Sequence, residues 1–453
     1  MSSKATPISA RENLPRTGSL PPGSRGYWAP PTMSSVEDTG LNLITISDLV
    51  TKVLYFGGVM TGSDVSKIVK LPYTGVLDRV LEFLKREKFV EIKGSGGLGE
   101  SAWQYMLTAK GSEKAREALE RSQYAGACPV TLEQYIEAMK AQNQISLSVG
   151  PEALARALEH LTVTDDMLGR LGPAINSGRS IFLYGPPGNG KTTMAEAVGR
   201  VVLGGDIWIP YAMDIDGQVV RIFDNVNHEL LEETATGDTA ALKRATGLVP
   251  DPRWVRIRRP VIIVGGELTL AGLDLVWDDT NHYYEAPYQV KANGGMFLID
   301  DFGRQQVRPR DLLNRWIVPL EKQADFLTLH TGRKIEVPFF VLVVFSTNIE
   351  PRDLVDEAFL RRIRHKIEVG DPTFEQYRAI FKRVCAARSI TYDEDVLRHL
   401  IKKWYLDQNR NLRCVHPRDL IEQIVDIAKY LGQPPTLSRE MIDRAASAYF
   451  VDL

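Results

Sequence analysis

The chain has 453 residues, of which 44% are hydrophobic and 25% are charged, a composition that fits about three globular domains and excludes a wholly disordered or collagen-like protein. Its net charge of −2 does not favour a polyanionic partner. It has no apolar run of about 18 residues, no apolar stretch typical of a secretory signal near Met1, and three scattered cysteines, too few for a disulfide framework. These features predict a cytoplasmic protein without an integral membrane segment.

The composition and the hydrophobic pattern of the chain change near residue 45. Residues 1–44 are rich in Ser, Pro and Gly, which predicts a flexible arm. Three helical stretches, two short strands around a Gly-rich turn and a further helix follow, an order that resembles a winged helix and predicts such a domain over 45–125. Its third helix, predicted over 73–88, has four basic and three acidic side chains, and the turn 94–99 has no basic residue. We therefore favour protein docking, while DNA binding stays an alternative.

The remaining elements predict an α/β domain followed by a helical one. Residues 126–150 are interpreted as a linker with one short helix. Apolar strands alternate with helical stretches over 151–370, which predicts a parallel sheet. Amphipathic helical spacing then fills 371–453 and predicts a lid, with Thr373 and Gln376 placed as a capping box. The four predicted lid helices cover approximately residues 373–387, 393–406, 417–431 and 438–450.

A phosphate-binding loop lies at the start of the α/β domain. The apolar strand Ile181–Tyr184 runs into a glycine-rich loop that is followed by helical residues, which is the context that this motif requires. Glycines let backbone N–H groups turn toward a triphosphate, and the helix N-terminus adds partial positive charge. Lys191 would reach the β- and γ-phosphates of ATP, and the Thr192 hydroxyl would ligate Mg²⁺. The predicted ATP-binding residues are Gly185, Pro186, Pro187, Gly188, Asn189, Gly190, Lys191, Thr192 and Thr193.

A second apolar strand, Met296–Ile299, ends in a pair of carboxylates. Both faces of a strand inside a parallel sheet are buried, so paired charges at its end indicate a site. We predict that Asp300 holds Mg²⁺ together with Thr192, and that Asp301 is the base that polarises the attacking water. The predicted reaction is therefore Mg²⁺-dependent hydrolysis of ATP to ADP and phosphate.

With these motifs in place, residues 151–450 resemble the AAA+ ATPases. A strand over 339–345 ends in Ser346-Thr347-Asn348 and is similar to sensor 1, which implies that Asn348 helps to place the water. The segment Ala358-Phe359-Leu360-Arg361-Arg362-Ile363 resembles an arginine-finger segment, with Arg362 as the first choice and Arg361 as the second. His416-Pro417-Arg418 resembles sensor 2, which implies that Arg418 reaches the γ-phosphate from the lid.

One departure and two extra segments refine the resemblance. The family usually has Asp-Glu where this chain has Asp300-Asp301, so we expect slower water activation or a compensating shift of the backbone. About 107 residues separate Thr192 from Asp300, and Thr331-Gly332-Arg333 predicts a hairpin turn. Both features resemble the helix-2 insert and pre-sensor hairpin of magnesium chelatase, MoxR-type chaperones and enhancer-binding activators, chiefly bacterial proteins. The aromatic segment 281–285 fits either a loop tip that touches a client or ordinary core packing.

The resemblance implies a self-assembling ring, most simply a hexamer, that uses ATP to remodel a protein client in a chaperone-like way. Two alternatives stay open. The winged-helix-like domain could place the ring on DNA as a regulator or motor. The shorter Asp301 could instead make the protein a nucleotide-dependent assembly switch with little hydrolysis. The sequence does not identify the client.

Overall fold

The chain folds into an N-terminal unit, an α/β core that carries a second sheet, and a helical lid. The computed structural model describes residues 28–143, 149–202, 205–231, 249–354 and 360–450. Within those ranges, no helix combines the length and the apolar character that crossing a membrane requires.

The N-terminal unit combines helices with a small antiparallel sheet. The sheet order is Met60–Thr61, Trp103–Leu107, Val90–Ser95, and the helices are Leu43–Gly57, Gly62–Val69, Asp78–Arg86 and Ala109–Arg121. Side chains of Asn42, Thr61 and Thr108 accept hydrogen bonds from backbone N–H groups and so fix where three of these helices begin. The third predicted helix starts later than expected, because Gly75 has a φ of 84° and interrupts the helical turn before Asp78. The assignment as a winged helix remains a prediction.

The predicted flexible arm is wrong for residues 28–44. Met33 and Thr39 are buried, and Trp28 packs edge-on against Trp254 with ring centroids 5.3 Å apart. The backbone N–H of Asp251 also donates to the Pro31 carbonyl at 3.2 Å. Residues 28–44 therefore pack against the rest of the chain, and residues 1–27 lie outside the described part of the chain.

The short helix predicted within 126–150 is confirmed, but residues 130–143 pack into the fold and do not form a linker. The two-residue strand Val130–Thr131 pairs in parallel with the strand Ala212–Ile215. The helix Leu132–Asn143 follows and buries Tyr135, Ala138 and Met139. A strand of two residues has no detectable alternation, and its partner lies about 80 residues further along, so local spacing gave no sign of it. Residues 144–148 of the predicted linker are not described.

The insert sheet, a second sheet formed mainly between the phosphate loop and the acidic strand, accounts for the extra length. Its order is Val276–Asp278, Tyr283–Glu285, Gln218–Arg221, Ala212–Ile215, Val130–Thr131. Two antiparallel pairs accompany it, Asp206–Pro210 with Trp254–Arg258 and Ala324–Thr328 with Lys334–Pro338. The second pair confirms the predicted hairpin at Thr331-Gly332-Arg333. Residues 254–264 form two strands in different sheets, Trp254–Arg258 and Val261–Val264, since Pro260 lacks the N–H that a continuous ladder needs.

The aromatic segment 281–285 is packed in place. Tyr284 is fully buried, and the Tyr283 ring meets the Tyr124 ring edge-on at 5.7 Å. The Asn281 carbonyl accepts a hydrogen bond of 2.8 Å from the backbone N–H of Gln123. Core packing is therefore the better of the two interpretations, and the segment docks against the end of the N-terminal unit.

The core sheet is entirely parallel, which confirms the predicted α/β class. Its order is Val261–Val264, Met296–Ile299, Leu342–Thr347, Ile181–Tyr184, His365–Glu368. Alternate residues face two separate hydrophobic cores: Leu298 lies in one and Phe297 in the other. The helices of the core are Pro151–Ala157, Asp165–Asn176, Lys191–Ala197, Tyr288–Lys291, Pro309–Lys322 and Pro351–Leu354. Because Leu342–Thr347 lies between the acidic strand and the phosphate-loop strand, three strand ends meet at one edge.

The lid follows the core sheet directly. Its helices are Phe374–Ala387, Glu394–Leu400 with a further helical turn Ile401–Leu406, His416–Leu431 and Arg439–Tyr449. They agree with the four predicted stretches to within a few residues, and Thr373 with Gln376 forms the predicted capping box. Phe381, Leu397, Ile424 and Ile442 share one hydrophobic core. The lid thus has a core of its own.

Candidate nucleotide site

The phosphate loop has the backbone that its glycines predict. Gly185, Gly188 and Gly190 have φ values of 134°, 80° and 84°. A Cβ at Gly185 would lie 2.4 Å from the carbonyl oxygen of Val369, closer than any side chain can approach. The loop then leads into the helix Lys191–Ala197, as the strand–loop–helix pattern requires. Thr193, also in the predicted set, is exposed on that helix.

Lys191 lies inside the loop, with only 6% of its surface exposed. Its Nζ donates to the carbonyl oxygens of Gly185 at 3.0 Å and Pro186 at 2.9 Å, and to Asn348 Oδ1 at 2.7 Å. Burial lowers the pKa of Lys191, while the nearby Asp300 and Asp301 favour the charged form. The ammonium group is therefore positioned within the loop that would surround the phosphates.

The predicted metal-binding pair comes together at the next strand end. Thr192 Oγ1 donates to Asp300 at 2.9 Å from Oδ1 and 3.0 Å from Oδ2. Hydroxyl and carboxylate oxygens suit Mg²⁺, which keeps most of its positions for phosphate and water. No cluster of three or more His, Cys, Asp or Glu that could hold a metal occurs among the described residues. By their chemistry, the Thr192 hydroxyl and the Asp300 carboxylate fit an ion whose other ligands are phosphate and water.

Asn348 joins the two halves of the site. Its Oδ1 accepts from Lys191, and its Nδ2 donates to Asp301 Oδ1 at 3.0 Å. Asp301 has a φ of 48°, a left-handed conformation that Asp tolerates better than most residues. The chain therefore leaves the strand direction at this residue, and its exposed carboxylate meets Asn348. The sensor-1 residue and the proposed base thus lie together, as the sequence predicts.

The arginine-finger segment is described only from residue 360 onward. Ala358 and Phe359 lie outside the described residues. Ile363 is fully buried and anchors the following strand. Arg362 Nε donates to Glu321 Oε1 at 2.6 Å, which holds this guanidinium against the helix Pro309–Lys322. Arg361 is exposed beside it.

Arg418 does not lie over the phosphate loop in this structure. Its side chain is 62% exposed and pairs with its neighbour Asp419 at 3.0 Å. The residues that do contact the loop precede it: Val415 N–H donates to the Gly188 carbonyl at 2.9 Å, and Arg413 pairs with Asp371 beside the loop. Arg413 and Asp371 could not be predicted from the sequence, because neither belongs to a recognisable motif.

Five side chains thus converge at the ends of three neighbouring parallel strands: Lys191, Thr192, Asp300, Asp301 and Asn348. Two curated proteins are similar to this chain in sequence. Spastin from Drosophila persimilis is 23% identical over 310 residues, and spastin from Drosophila grimshawi is 23% identical over 309 residues. The chain is thus similar to AAA+ ATPases. The match covers 68% of this chain but only 30% of the length of either spastin.

Two solved structures also match over much of the chain. NtrX from Brucella abortus in complex with ADP is 15% identical with a TM-score of 0.37, over 73% of this chain and 64% of that one. A point mutant of RuvB from Thermotoga maritima is 14% identical with a TM-score of 0.34, over 71% of this chain and 73% of that one. At these scores the chains do not superpose closely, so the strand order and the site define the fold. A family profile described as a domain of unknown function, DUF8689, matches residues 373–448, most of the helical lid.

Proposed function

We propose that this AAA+ protein is a Mg²⁺-dependent ATPase that hydrolyses ATP to ADP and phosphate. The observation that supports this most directly is the chain of contacts from Lys191 through Asn348 to Asp301, next to the Thr192–Asp300 pair. Phosphoryl transfer depends mainly on positioning and on stabilising charge, and these residue types supply both. Single-turnover hydrolysis with Mg²⁺ and with excess chelator tests the proposal: phosphate release should require the metal.

Each residue has a distinct role in this proposal. Lys191 exchanges its carbonyl partners for phosphate oxygens, which form stronger, charge-assisted hydrogen bonds. Thr192 and Asp300 would hold Mg²⁺, which would supply positive charge beside the β- and γ-phosphates. Asn348 orients the attacking water, and Asp301 accepts its proton. Asn348 contacts both charged groups, so it can hold the base at a fixed distance from the phosphate loop.

We propose further that the active form is a homo-oligomeric ring, a hexamer by family resemblance. Arg362, with Arg361 as the second choice, would enter the ATP site of the neighbouring subunit. Its present partner, Glu321, lies on the same chain, so the guanidinium would exchange one carboxylate for the phosphates across the junction. Arg418 would reach the γ-phosphate after leaving Asp419, a partly exposed pair of the kind that costs little to break.

The work of the ring is proposed to be remodelling of a protein client. Asn293 lies three residues before the acidic strand and is 1% exposed. Its Nδ2 donates to the Tyr135 hydroxyl and the Pro338 carbonyl, both at 2.9 Å, and its Oδ1 accepts from the Phe340 N–H. A movement at the acidic strand can therefore be passed through Asn293 to the helix that carries Tyr135 and to the strand that ends at Pro338. Both lie beside the insert sheet, which in turn contacts the N-terminal unit.

The N-terminal unit is proposed to dock protein. On its helix Asp78–Arg86, Arg79 lies near Glu82 at 3.8 Å, and Arg86 lies near Glu87 at the same distance. The acidic partners offset the positive charge of these arginines, and binding to DNA phosphates would need that charge. A salt titration of DNA binding tests the regulator alternative, because specific affinity should fall steeply as salt rises. Single-turnover kinetics test the assembly-switch alternative, which requires nucleotide binding without appreciable phosphate release.

A further inference from the structure

Asn189 belongs to the phosphate loop, yet its side chain contacts the lid and the segment that leads to it. The residue is 5% exposed. Its Nδ2 donates to the Gly370 carbonyl at 3.0 Å and to Asp371 Oδ1 at 2.8 Å. Its Oδ1 accepts from the backbone N–H of Cys414 at 3.1 Å. One buried amide thus connects three segments that are distant in sequence.

Two of those segments lie where the lid meets the core, and Arg383 makes another lid–core contact by donating to the His160 carbonyl. Gly370 and Asp371 lie between the last core strand, His365–Glu368, and the first lid helix, Phe374–Ala387. Cys414 lies just before the lid helix His416–Leu431. Any rotation of the lid about residues 370–371 must therefore break or stretch hydrogen bonds to Asn189.

Neighbouring contacts strengthen the same junction. The backbone N–H of Val415 donates to the Gly188 carbonyl at 2.9 Å, and a Cβ at Gly188 would lie 2.7 Å from Val415 Cγ1. Arg413 forms an ion pair with Asp371, the same carboxylate that Asn189 contacts. The loop 413–415 is therefore in direct contact with the phosphate loop, and its position depends on the conformation of that loop.

We propose that Asn189, together with Asp371 and Arg413, is a positioning latch through which the phosphate loop sets the orientation of the lid. A buried amide that loses its partners is unfavourable, so the lid follows the loop when the loop rearranges around phosphate. Asn189 acts through the lid and is not a catalytic residue. The inference deepens the proposed ATPase function and rests on it for the response to nucleotide, while the latch itself is present without nucleotide.

The latch is tested first in nucleotide-free, full-length protein by pulsed EPR distances between the core and the lid. Spin labels are attached at Asn314→Cys on the core and Ala448→Cys on the lid, both exposed positions. Cys414→Ser removes the one partly exposed native thiol and keeps the backbone N–H, while Cys128 and Cys385 are buried. We expect a narrow distance distribution that becomes at least about twice as broad with Asn189→Ala.

A matched control and a rescue separate positioning from general stability. Arg388→Ala removes a pair within the lid, to Glu422 at 3.0 Å, and should leave the distribution narrow. Asn189→Asp places a second carboxylate beside Asp371, and their repulsion should broaden the core–lid distance distribution. The double variant Asn189→Asp/Asp371→Asn exchanges amide and carboxylate, restores a hydrogen bond between them and should make it narrow again. Circular dichroism shows whether each variant is folded. If Asn189→Ala does not fold, the comparison of Asn189→Asp with the double variant tests the latch in its place.

The second arm adds Mg·ATP, with binding measured separately by calorimetry. In the wild-type protein the mean distance should shift, and in Asn189→Asp the shift should fall by at least half even at saturating ATP. The latch would be overturned if the distance distributions of wild type, Asn189→Ala and Asn189→Asp were equally broad. It would also be overturned if the distribution of the double variant stayed as broad as that of Asn189→Asp. If the wild-type protein bound no ATP, the proposed function would fail, while the nucleotide-free result would still decide the latch.

Discussion

Acidification should lower the free energy of unfolding of the lid through the protonation of a single histidine, His416. The His416 ring packs among Tyr405, Tyr449 and Phe450, with centroids 5.8, 5.6 and 5.3 Å away, and its Nδ1 lies 2.9 Å from the Tyr405 hydroxyl. Burial, and secondarily the charge of Arg413, lower the pKa of His416 from 6.5 to about 4. In the unfolded lid the ring would titrate near 6.5, so the unfolded state binds more protons between these two values. Stability is therefore complete above pH 6.5 and is lost as the pH falls toward 4.

The size of the effect follows from the two pKa values. At pH 5 the unfolded ring is almost fully protonated and the folded ring is not, which corresponds to about 2 kcal/mol at about 1.36 kcal/mol per pH unit. Because the His416 ring is only partly buried, water screens the charge and we expect about 1 kcal/mol. For a unit the size of the lid, that is a fall in Tm of about 4–8 °C.

The assay compares wild type with His416→Gln between pH 7.5 and pH 5. Glutamine has an oxygen that can accept from Tyr405 but does not titrate, so the difference between the two proteins isolates the histidine from the carboxylates. Calorimetric unfolding should show the wild type losing about 1 kcal/mol more than the variant over this range. An NMR titration of the His416 ring gives its folded-state pKa directly. A value near 6.5, or equal pH dependence in both proteins, would refute the reasoning.

The remaining predictions concern the ATP site. Lys191→Ala removes the charge that faces the phosphates, so ATP affinity measured by calorimetry should fall by about 10² or more, and unchanged affinity would contradict the phosphate-loop assignment. Asp301→Asn should bind ATP normally while hydrolysis falls by about 10², since only the base is lost; an equal loss of binding would place Asp301 on the metal instead. Arg362→Ala should lose on the order of 10³ in turnover, with ATP binding to the monomer intact. Mixed Arg362→Ala and Asp301→Asn subunits should regain some activity, and specific activity should rise with protein concentration; co-assembled but inactive mixtures would exclude a finger acting in trans.

The sequence alone determined the parts of this protein that depend on contiguous residues. The phosphate loop from Gly185 to Thr192 is one uninterrupted run whose glycines are required by its backbone, so it could be recognised without its neighbours. The acidic strand and the sensor-1 strand are short apolar runs that end in polar residues, and parallel strands bring such ends to one edge. The lid helices follow from apolar residues repeated at helical spacing.

Tertiary structure alone decided the features that depend on distant partners. Residues 28–44 and the strand Val130–Thr131 have weak local patterns. Arg253, 1% exposed, holds them in place by donating to the Thr39 and Pro129 carbonyls, and it pairs with Asp251. A buried guanidinium needs several acceptors at once, and only the folded chain brings them together. The same reason explains Asn189. It occupies a variable position of the phosphate-loop pattern, and the direction of its side chain is set by Gly370, Asp371 and Cys414, which no local pattern places beside it.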